Sequence, residues 1–260
     1  MCKRAALILF LVSSFTLAAE QPPKPLLRDG FVLMGVDGTT VALGDKWYFQ
    51  FERNVTDAEN TLSAGTKLQL LPSTGLEKMV EFMKDNPERS YRLYNAIVTV
   101  YDANNYLFCD YFLPLSEVPV TKPDDSETTE EVKINEPNDL VMIPQEIIDR
   151  LQTPRVIRPQ DIKQGMELRQ DSILSDRTGY IKQDASGNWI FQFDALGRNT
   201  SDVYLILLPC QKLAEVQRKQ GKMAGEYRFK VSGIVTKYQG RFYMMLNTAT
   251  RTYNNGNFGG

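Results

Sequence analysis

The residue types that most enzymes use for catalysis are scarce in this chain. Its 260 residues include no histidine, which excludes the Ser-His-Asp and Cys-His nucleophile systems and any zinc or copper site that depends on imidazole. No P-loop, no Gly-x-Gly-x-x-Gly after a strand and no Cys-x-x-Cys is present either. We therefore expect a protein that is not an enzyme and that uses no cofactor and no metal.

Basic residues in the second half of the chain are the clearest candidates for a binding site. Residues 141–260 carry 11 acids and 17 bases, a net charge of +6, whereas residues 20–116 carry −4 and residues 117–140 carry −6. A basic half of this kind can attract an anionic polymer, or it can be a solvated face that balances the acidic strip within one molecule. The candidate binding residues are Lys212, Arg218, Lys219, Lys222, Arg228, Lys230, Lys237 and Arg241.

The acidic residues offer little further chemistry at the level of sequence. The pairs at 124–125 and 130–131 lie in a strip rich in Glu, Asp, Thr and Pro, whereas acid–base catalysis needs a fixed and partly desolvated pair. We interpret residues 184–188 as a hairpin turn, because the acid that would end a calcium loop is missing. A pair of Asp or Glu residues in a cleft between domains stays open as the basis of a hydrolase.

The first 19 residues predict a secretory signal. Lys3 and Arg4 precede an apolar run at residues 5–12, and small residues follow at 16–19. The run is shorter than the roughly 20 residues that a spanning helix needs. We therefore expect a secreted or periplasmic protein that has no transmembrane segment once the signal has been removed.

Two cysteines, Cys109 and Cys210, remain after that removal. They can form a disulfide only if their Cα atoms come within about 7 Å, which the sequence leaves open. We favour two buried, unreactive thiols, because the residues lie in segments that we assign to different domains.

An internal repeat is the strongest pattern in the sequence. From residue 72 to residue 108 the first copy aligns with the second without a gap, at an offset of 137. Three motifs recur in the same order in both copies, namely 47–51 with 189–193, 68–72 with 205–209, and 96–101 with 233–238. Such an ordered recurrence predicts an internal duplication.

Each copy predicts the element order strand, strand, strand, helix, strand, strand. Residues 47–51 alternate as a half-buried strand does. Apolar residues recur from Leu76 at helical spacing, and Thr74 with Glu77 has the spacing of a capping box at the start of that helix. In the second copy, Gly221 is expected to end the corresponding helix.

This element order resembles the OB-fold, a five-stranded Greek-key barrel whose helix joins the third and fourth strands. Residues 231–243 look like the closing strands of such a barrel, with Gly233 at a bend where the first copy has Ala96. The resemblance covers about two-thirds of the mature chain and concerns strand order and this bend, without a catalytic motif. It implies a mainly β protein with one helix per repeat, namely two duplicated five-stranded OB-like barrels of the order β-β-β-α-β-β.

The domain organisation follows from the repeat and the composition. The predicted segments are a signal peptide at 1–19, a first barrel at 20–116, an acidic flexible linker at 117–140, a second barrel with a short leading helix at 141–250, and a disordered tail at 251–260.

Trp47 and Trp189 begin equivalent strands of the two predicted barrels, where they serve either as core residues or as ligand-stacking platforms.

We expect a secreted, non-enzymatic binding or scaffolding protein of the bacterial cell envelope. Its partner would be an envelope protein or an anionic polymer. One alternative is an envelope hydrolase that uses Asp and Glu at the cleft between the domains, and another is polysaccharide or nucleic-acid binding by the basic second barrel. Export and the net negative charge of the mature chain disfavour nucleic acid.

Overall fold

The computed structural model describes residues 25–87, 89–115, 155–168, 170–194, 203–221 and 227–252. These ranges are mainly β-strand and contain three helices. None of the helices within them is long and apolar enough to cross a membrane. The predicted signal, the predicted linker and the leading helix near residues 144–151 lie outside the described ranges, as do residues 253–260 of the predicted tail. The first two residues of that tail, Arg251 and Thr252, are described and belong to the last strand.

The first half contains a closed, mixed barrel of five strands, consistent with an OB-like fold. β2 pairs with β3 and β7, β3 with β6, β6 with β8 in parallel, and β8 with β7. α1 joins the third and fourth barrel strands, as the sequence predicts. The elements are β1 (Val32–Leu33), β2 (Val36–Leu43), β3 (Lys46–Phe51), β4 (Val55–Thr56), β5 (Thr61–Leu62), β6 (Lys67–Leu70), α1 (Thr74–Asp85), β7 (Ser90–Tyr101) and β8 (Asn104–Pro114).

The second half forms another sheet with the same kinds of pairing. β10 pairs with β11 and β13, β11 with β12, β12 with β14 in parallel, and β13 with β14, while β9 adds to β10. The short helix α2 and the strand β9 are additions that the sequence pattern did not predict. The elements are β9 (Arg155–Val156), α2 (Pro159–Lys163), β10 (Ser172–Gln183), β11 (Trp189–Phe193), β12 (Tyr204–Leu207), α3 (Gln211–Gln220), β13 (Arg228–Tyr238) and β14 (Arg241–Thr252).

The predicted cap of α1 is wrong by one residue. Ser73, with an extended φ of −157°, is the N-cap, and its Oγ accepts a hydrogen bond from the Leu76 N–H. An N-cap residue must lie outside the helical region, whereas Thr74 is already helical. The Thr74 hydroxyl is therefore available for another contact. At the other predicted end, Gly221 caps α3 as expected.

The alternating strands place their phenylalanines in the two cores. Phe49 and Phe51 are buried in the first half, and Phe191 and Phe193 are buried in the second. Each pair of rings meets edge to face, with centroids 5.5 and 5.0 Å apart, a geometry that aromatic rings favour. Trp189 differs, because it is half-buried at the rim of its core.

Two hydrogen bonds join the halves at equivalent places. The Thr99 hydroxyl donates to the Pro209 carbonyl oxygen at 2.9 Å, just before α3. The Thr236 hydroxyl accepts from the Thr74 N–H at 2.8 Å, in the first turn of α1. Thr99 and Thr236 are 137 residues apart, which is the offset of the sequence repeat. Each half therefore meets the start of the other half's helix.

Apolar side chains also cross this junction between the halves. Leu71 and Phe108 belong to the first half, yet they pack in the core of the second. Tyr238 belongs to the second half and packs in the core of the first. Because the cores share residues, we expect the halves to depend on each other for stability.

Replacing Gly233 with alanine is expected to lower the free energy of unfolding by about 1–3 kcal/mol, which is typical of overpacking. Gly233 lies at the irregularity between Ser232 and Gly233 in β13, where a Cβ atom would overlap the Met245 carbonyl oxygen. Denaturant unfolding measures the effect. Ala96→Gly, at the equivalent position in the first half, serves as a control and should cost no more than about 1 kcal/mol. A Gly233→Ala variant as stable as the wild type would contradict this account.

Candidate functional site

An open cavity of about 590 Å³ lies on the second half, beside the strand β12. Its walls come from that strand, from the turn between β10 and β11 and from the turn between β13 and β14. In an OB-like barrel, these turns and the face of the second and third strands are where ligands bind. We therefore take this cavity as the starting point of the candidate site.

Tyr204 is the most exposed aromatic wall of this cavity. It is the first residue of β12, and 51% of it is exposed. The next residue, Leu205, is fully buried in the core. Since side chains alternate along a strand, Tyr204 and Ile206 face outward into the cavity. The period-2 pattern of residues 204–207 could have revealed Tyr204 from sequence, but our sequence analysis did not single it out.

The turn between β10 and β11 gives the cavity a fixed polar edge. Asp184 Oδ1 accepts hydrogen bonds from the Ser186 N–H at 2.9 Å and the Asn188 N–H at 2.8 Å. Gly187 supplies the positive φ of 83° that this turn requires. The prediction of a hairpin turn at residues 184–188 is confirmed. Its hydrogen bonds hold Asn188 in place at the cavity wall.

A second cavity of about 280 Å³ adjoins the first, because Asn188 and Ile206 line both. Trp189 and Tyr243 form its walls from the second half. Burial raises the pKa of Tyr243, and the Arg241 guanidinium opposes that rise. Residues of the first half complete this cavity. We call the two adjoining cavities together the β12 groove.

The β12 groove contains one of the predicted binding residues. Arg241 lines the outer cavity and is exposed. Among the described residues it forms no ion pair with an acid. Lys163, the last residue of the unpredicted helix α2, lines the same cavity. The groove therefore combines cations with aromatic and amide side chains.

Most of the other predicted bases lie outside the groove. Arg218 and Lys219 are exposed near the end of α3, and Lys222 lies outside the described residues. Ion pairs with acids of the same half reduce the charge that the remaining bases present to a ligand. These pairs are Arg228 with Asp194, Lys230 with Asp176 at 3.0 Å, Lys237 with Glu167 at 2.5 Å, and Lys212 with Glu215 at 2.7 Å.

A third cavity, of about 480 Å³, lies between the halves and contains two carboxylates. Asp29 Oδ1 accepts a hydrogen bond from the Val100 N–H at 2.8 Å. The hydrogen bond from Lys212 lowers the pKa of Glu215. A general acid needs a raised pKa at neutral pH, so Glu215 is in the opposite state. Glu215 is held in an ion pair with Lys212, with 2.7 Å between Nζ and Oε2.

Two other carboxylates are half-buried next to the junction. Asp171 Oδ1 accepts a hydrogen bond from the Thr74 hydroxyl at 2.7 Å, and burial raises the pKa of Asp171 from 3.8 to about 6. Burial also raises the pKa of Asp110, against the effect of its hydrogen bond from Asn95. Neither acid lines the three cavities. We therefore assign them to the packing of the junction.

Both cysteines are free and buried, as predicted. Burial raises the pKa of each thiol, and the Cys210 Sγ donates to the Leu246 carbonyl oxygen at 3.7 Å. A buried thiol with a raised pKa is a poor nucleophile. Neither cysteine is a candidate for catalysis.

The fold and the groove define a mainly β protein that has an OB-like closed barrel in its first half and a ligand-sized groove on its second. The sequence matches no protein-family model, and no curated protein resembles it at a significant level. The function must therefore be argued from the side chains of the groove.

Proposed function

We propose that this chain is a secreted, non-enzymatic binding protein of the bacterial cell envelope, which holds a polymer in the β12 groove. The observation that carries the proposal is the pair of adjoining cavities, which share Asn188 and Ile206. Exposed Tyr204 and half-buried Trp189 offer flat apolar surfaces along this path. Aromatic platforms beside polar groups are typical of sites that hold an extended ligand.

The proposal includes two duplicated OB-like barrels. The strand pairings of the second half correspond one by one to those of the closed barrel in the first. The repeated motifs and the equivalent contacts of Thr99 and Thr236 support the same origin. In such a protein, one barrel is free to specialise in binding while the other supports it.

Replacing Tyr204 with alanine is expected to lower the affinity for the envelope polymer about tenfold or more, because it removes a stacking surface. The folded structure should persist, since this side chain lies outside the core. Co-sedimentation of the purified mature protein with insoluble cell-envelope polymers measures the effect. Leu43→Ala is a matched control, since Leu43 is 50% exposed and lies in the first half. Equal losses in both variants would overturn the assignment to the groove.

The groove and the predicted basic face make opposite predictions for Arg218, whereas Arg241 belongs to both. If the groove binds the polymer, Arg241→Ala lowers the affinity, whereas Arg218→Ala on the exposed end of α3 leaves it unchanged. If the basic face binds it instead, Arg218→Ala lowers the affinity and binding falls steeply with salt. The same sedimentation assay at low and high salt decides between them.

A further inference from the structure

The β12 groove is built by both halves of the chain. Gln69 and Tyr101 of the first half line its inner cavity together with Trp189 of the second. The Tyr101 hydroxyl accepts a hydrogen bond from Gln217 Nε2 at 2.9 Å, across the junction. Its ring meets Tyr106 edge to face at 6.5 Å. These contacts fix the wall that the first half provides, so a ligand can extend from one half to the other.

The uncharged walls of the groove suit a chain of hydroxyl groups and flat apolar ring faces. Tyr204 and Trp189 provide the surfaces on which such rings can stack. The side-chain amides of Asn188 and Gln69 both donate and accept hydrogen bonds. Sugar rings present an apolar face and an edge of hydroxyls, so a polysaccharide matches both kinds of wall.

The charges of the groove indicate a sparsely charged anion. The Asp184 carboxylate is already satisfied, because it also accepts from Asn188 Nδ2 at 3.2 Å. Arg241 and Lys163 are the two cations among the lining residues of the groove. Arg241 forms no ion pair among the described residues, and a guanidinium binds a carboxylate through two parallel hydrogen bonds. A nucleic acid needs a row of cations along its phosphates, whereas Lys230 and Lys237 are held in ion pairs elsewhere.

We propose that the β12 groove binds an acidic polysaccharide of the uronate class. Sugar rings stack on Tyr204 in the outer cavity and on Trp189 in the inner one. One carboxylate of the chain pairs with Arg241, and the chain continues to Gln69 and Tyr101 on the first half. This proposal rests on the proposed function and adds the class of polymer and the part that the first half plays.

Galacturonate oligomers of two lengths test this proposal by isothermal titration calorimetry on the full mature chain. The hexamer is expected to bind at least about tenfold more tightly than the dimer, because the longer chain can occupy both cavities at once. Arg241→Ala should weaken the binding of both oligomers. Gln69→Ala should weaken the hexamer alone, and Gln50→Ala, on β3 outside the groove, is its matched control.

The outcomes separate this proposal from the function on which it rests. If neutral glucose oligomers bind as tightly as the uronates and still depend on Tyr204, the uronate class is overturned and the groove function stands. If the dimer and hexamer bind equally and Gln69→Ala has no effect, the contribution of the first half is overturned. Tighter binding of single-stranded DNA, with a steep salt dependence, would also overturn the proposal. If no oligomer binds and Tyr204→Ala does not change co-sedimentation with the envelope polymers, the proposed function is overturned as well.

Discussion

Replacing Asp171 with asparagine is expected to stabilise the folded protein by up to about 3 kcal/mol at pH 7.5. Burial raises the pKa of this carboxyl from 3.8 to about 6, and each tenfold change in proton affinity corresponds to about 1.4 kcal/mol. At pH 7.5 the folded protein must therefore hold a buried charge that is well hydrated in the unfolded chain. Asparagine is nearly isosteric and removes that charge, while its side-chain oxygen can still accept from Thr74.

The stabilisation should shrink as the pH falls. A carboxyl with a raised pKa binds its proton more tightly in the folded state, so folding of the wild type becomes more favourable between about pH 6 and pH 4. The asparagine variant lacks this gain. Asp37 has the opposite effect on stability. The hydrogen bond from Arg92 lowers the pKa of Asp37, so the stabilisation that the Asp37 carboxylate provides is lost as the pH falls. Because the wild type and the asparagine variant both contain Asp37, its contribution cancels when their free energies of unfolding are subtracted.

Urea unfolding of both proteins at pH 7.5 and at pH 4 measures the difference in the free energy of unfolding. Asp45→Asn, in an exposed turn of the first half, is the matched control and should change little at either pH. A difference that stays constant with pH, or a variant less stable at pH 7.5, would show that Asp171 is not held as a costly buried charge.

Replacing Phe108 with alanine is expected to cost about 3–5 kcal/mol, as for other buried aromatic residues. Phe108 lies on β8 of the first half and is only 1% exposed, yet it packs in the core of the second half. Its loss should therefore destabilise both halves. We expect one cooperative unfolding transition for the whole chain in the wild type and in the variant.

The two tryptophans allow each half to be followed separately. Trp47 lies in the first half and Trp189 in the second, and the chain has no others. In Trp47→Phe and Trp189→Phe backgrounds, the remaining fluorescence reports one half each. Phe108→Ala should move both denaturation midpoints together, whereas Leu43→Ala should move neither. If the Trp189 signal keeps its midpoint while the Trp47 signal shifts, the halves unfold independently.

Local periodicity explains why the elements could be predicted. Residues 47–51 alternate along the sequence and form the strand Lys46–Phe51, and Gly221 ends α3 where the pattern predicts. The pairing of charges is not local. Arg228 and Asp194 come from separate segments, which strand register brings together. The alternation of β13 indicated that Lys230 faces away from the core, but it could not show that Asp176 would meet it.

The β12 groove could not be predicted from the sequence either, because its walls come from residues that are distant in the chain. Gln69 and Trp189 are far apart in the chain, and only the junction brings them to one cavity. Arg241 could be predicted as a binding residue because it follows a loop that often contacts ligands in OB-like barrels. Lys237 flanks the same loop and was an equal candidate by sequence, yet it is buried against Glu167.

The junction between the halves does not have the same side chains on its two sides. The Gln239 N–H donates to Glu77 Oε1 at 3.0 Å. At an offset of 137, the residue of α3 that corresponds to Glu77 is Ala214. Alanine has no side-chain acceptor, so the corresponding hydrogen bond cannot form on the other side.

The contact of Tyr101 with Gln217 is one-sided in the same way, because the residue of α1 that corresponds to Gln217 is Val80. If the first halves of two chains, or their second halves, met in a symmetric dimer, polar groups would therefore lack partners, which costs free energy. Each half is complementary to the other rather than to a copy of itself. At high protein concentration, this asymmetry disfavours self-association through like halves and favours the correct pairing within one chain.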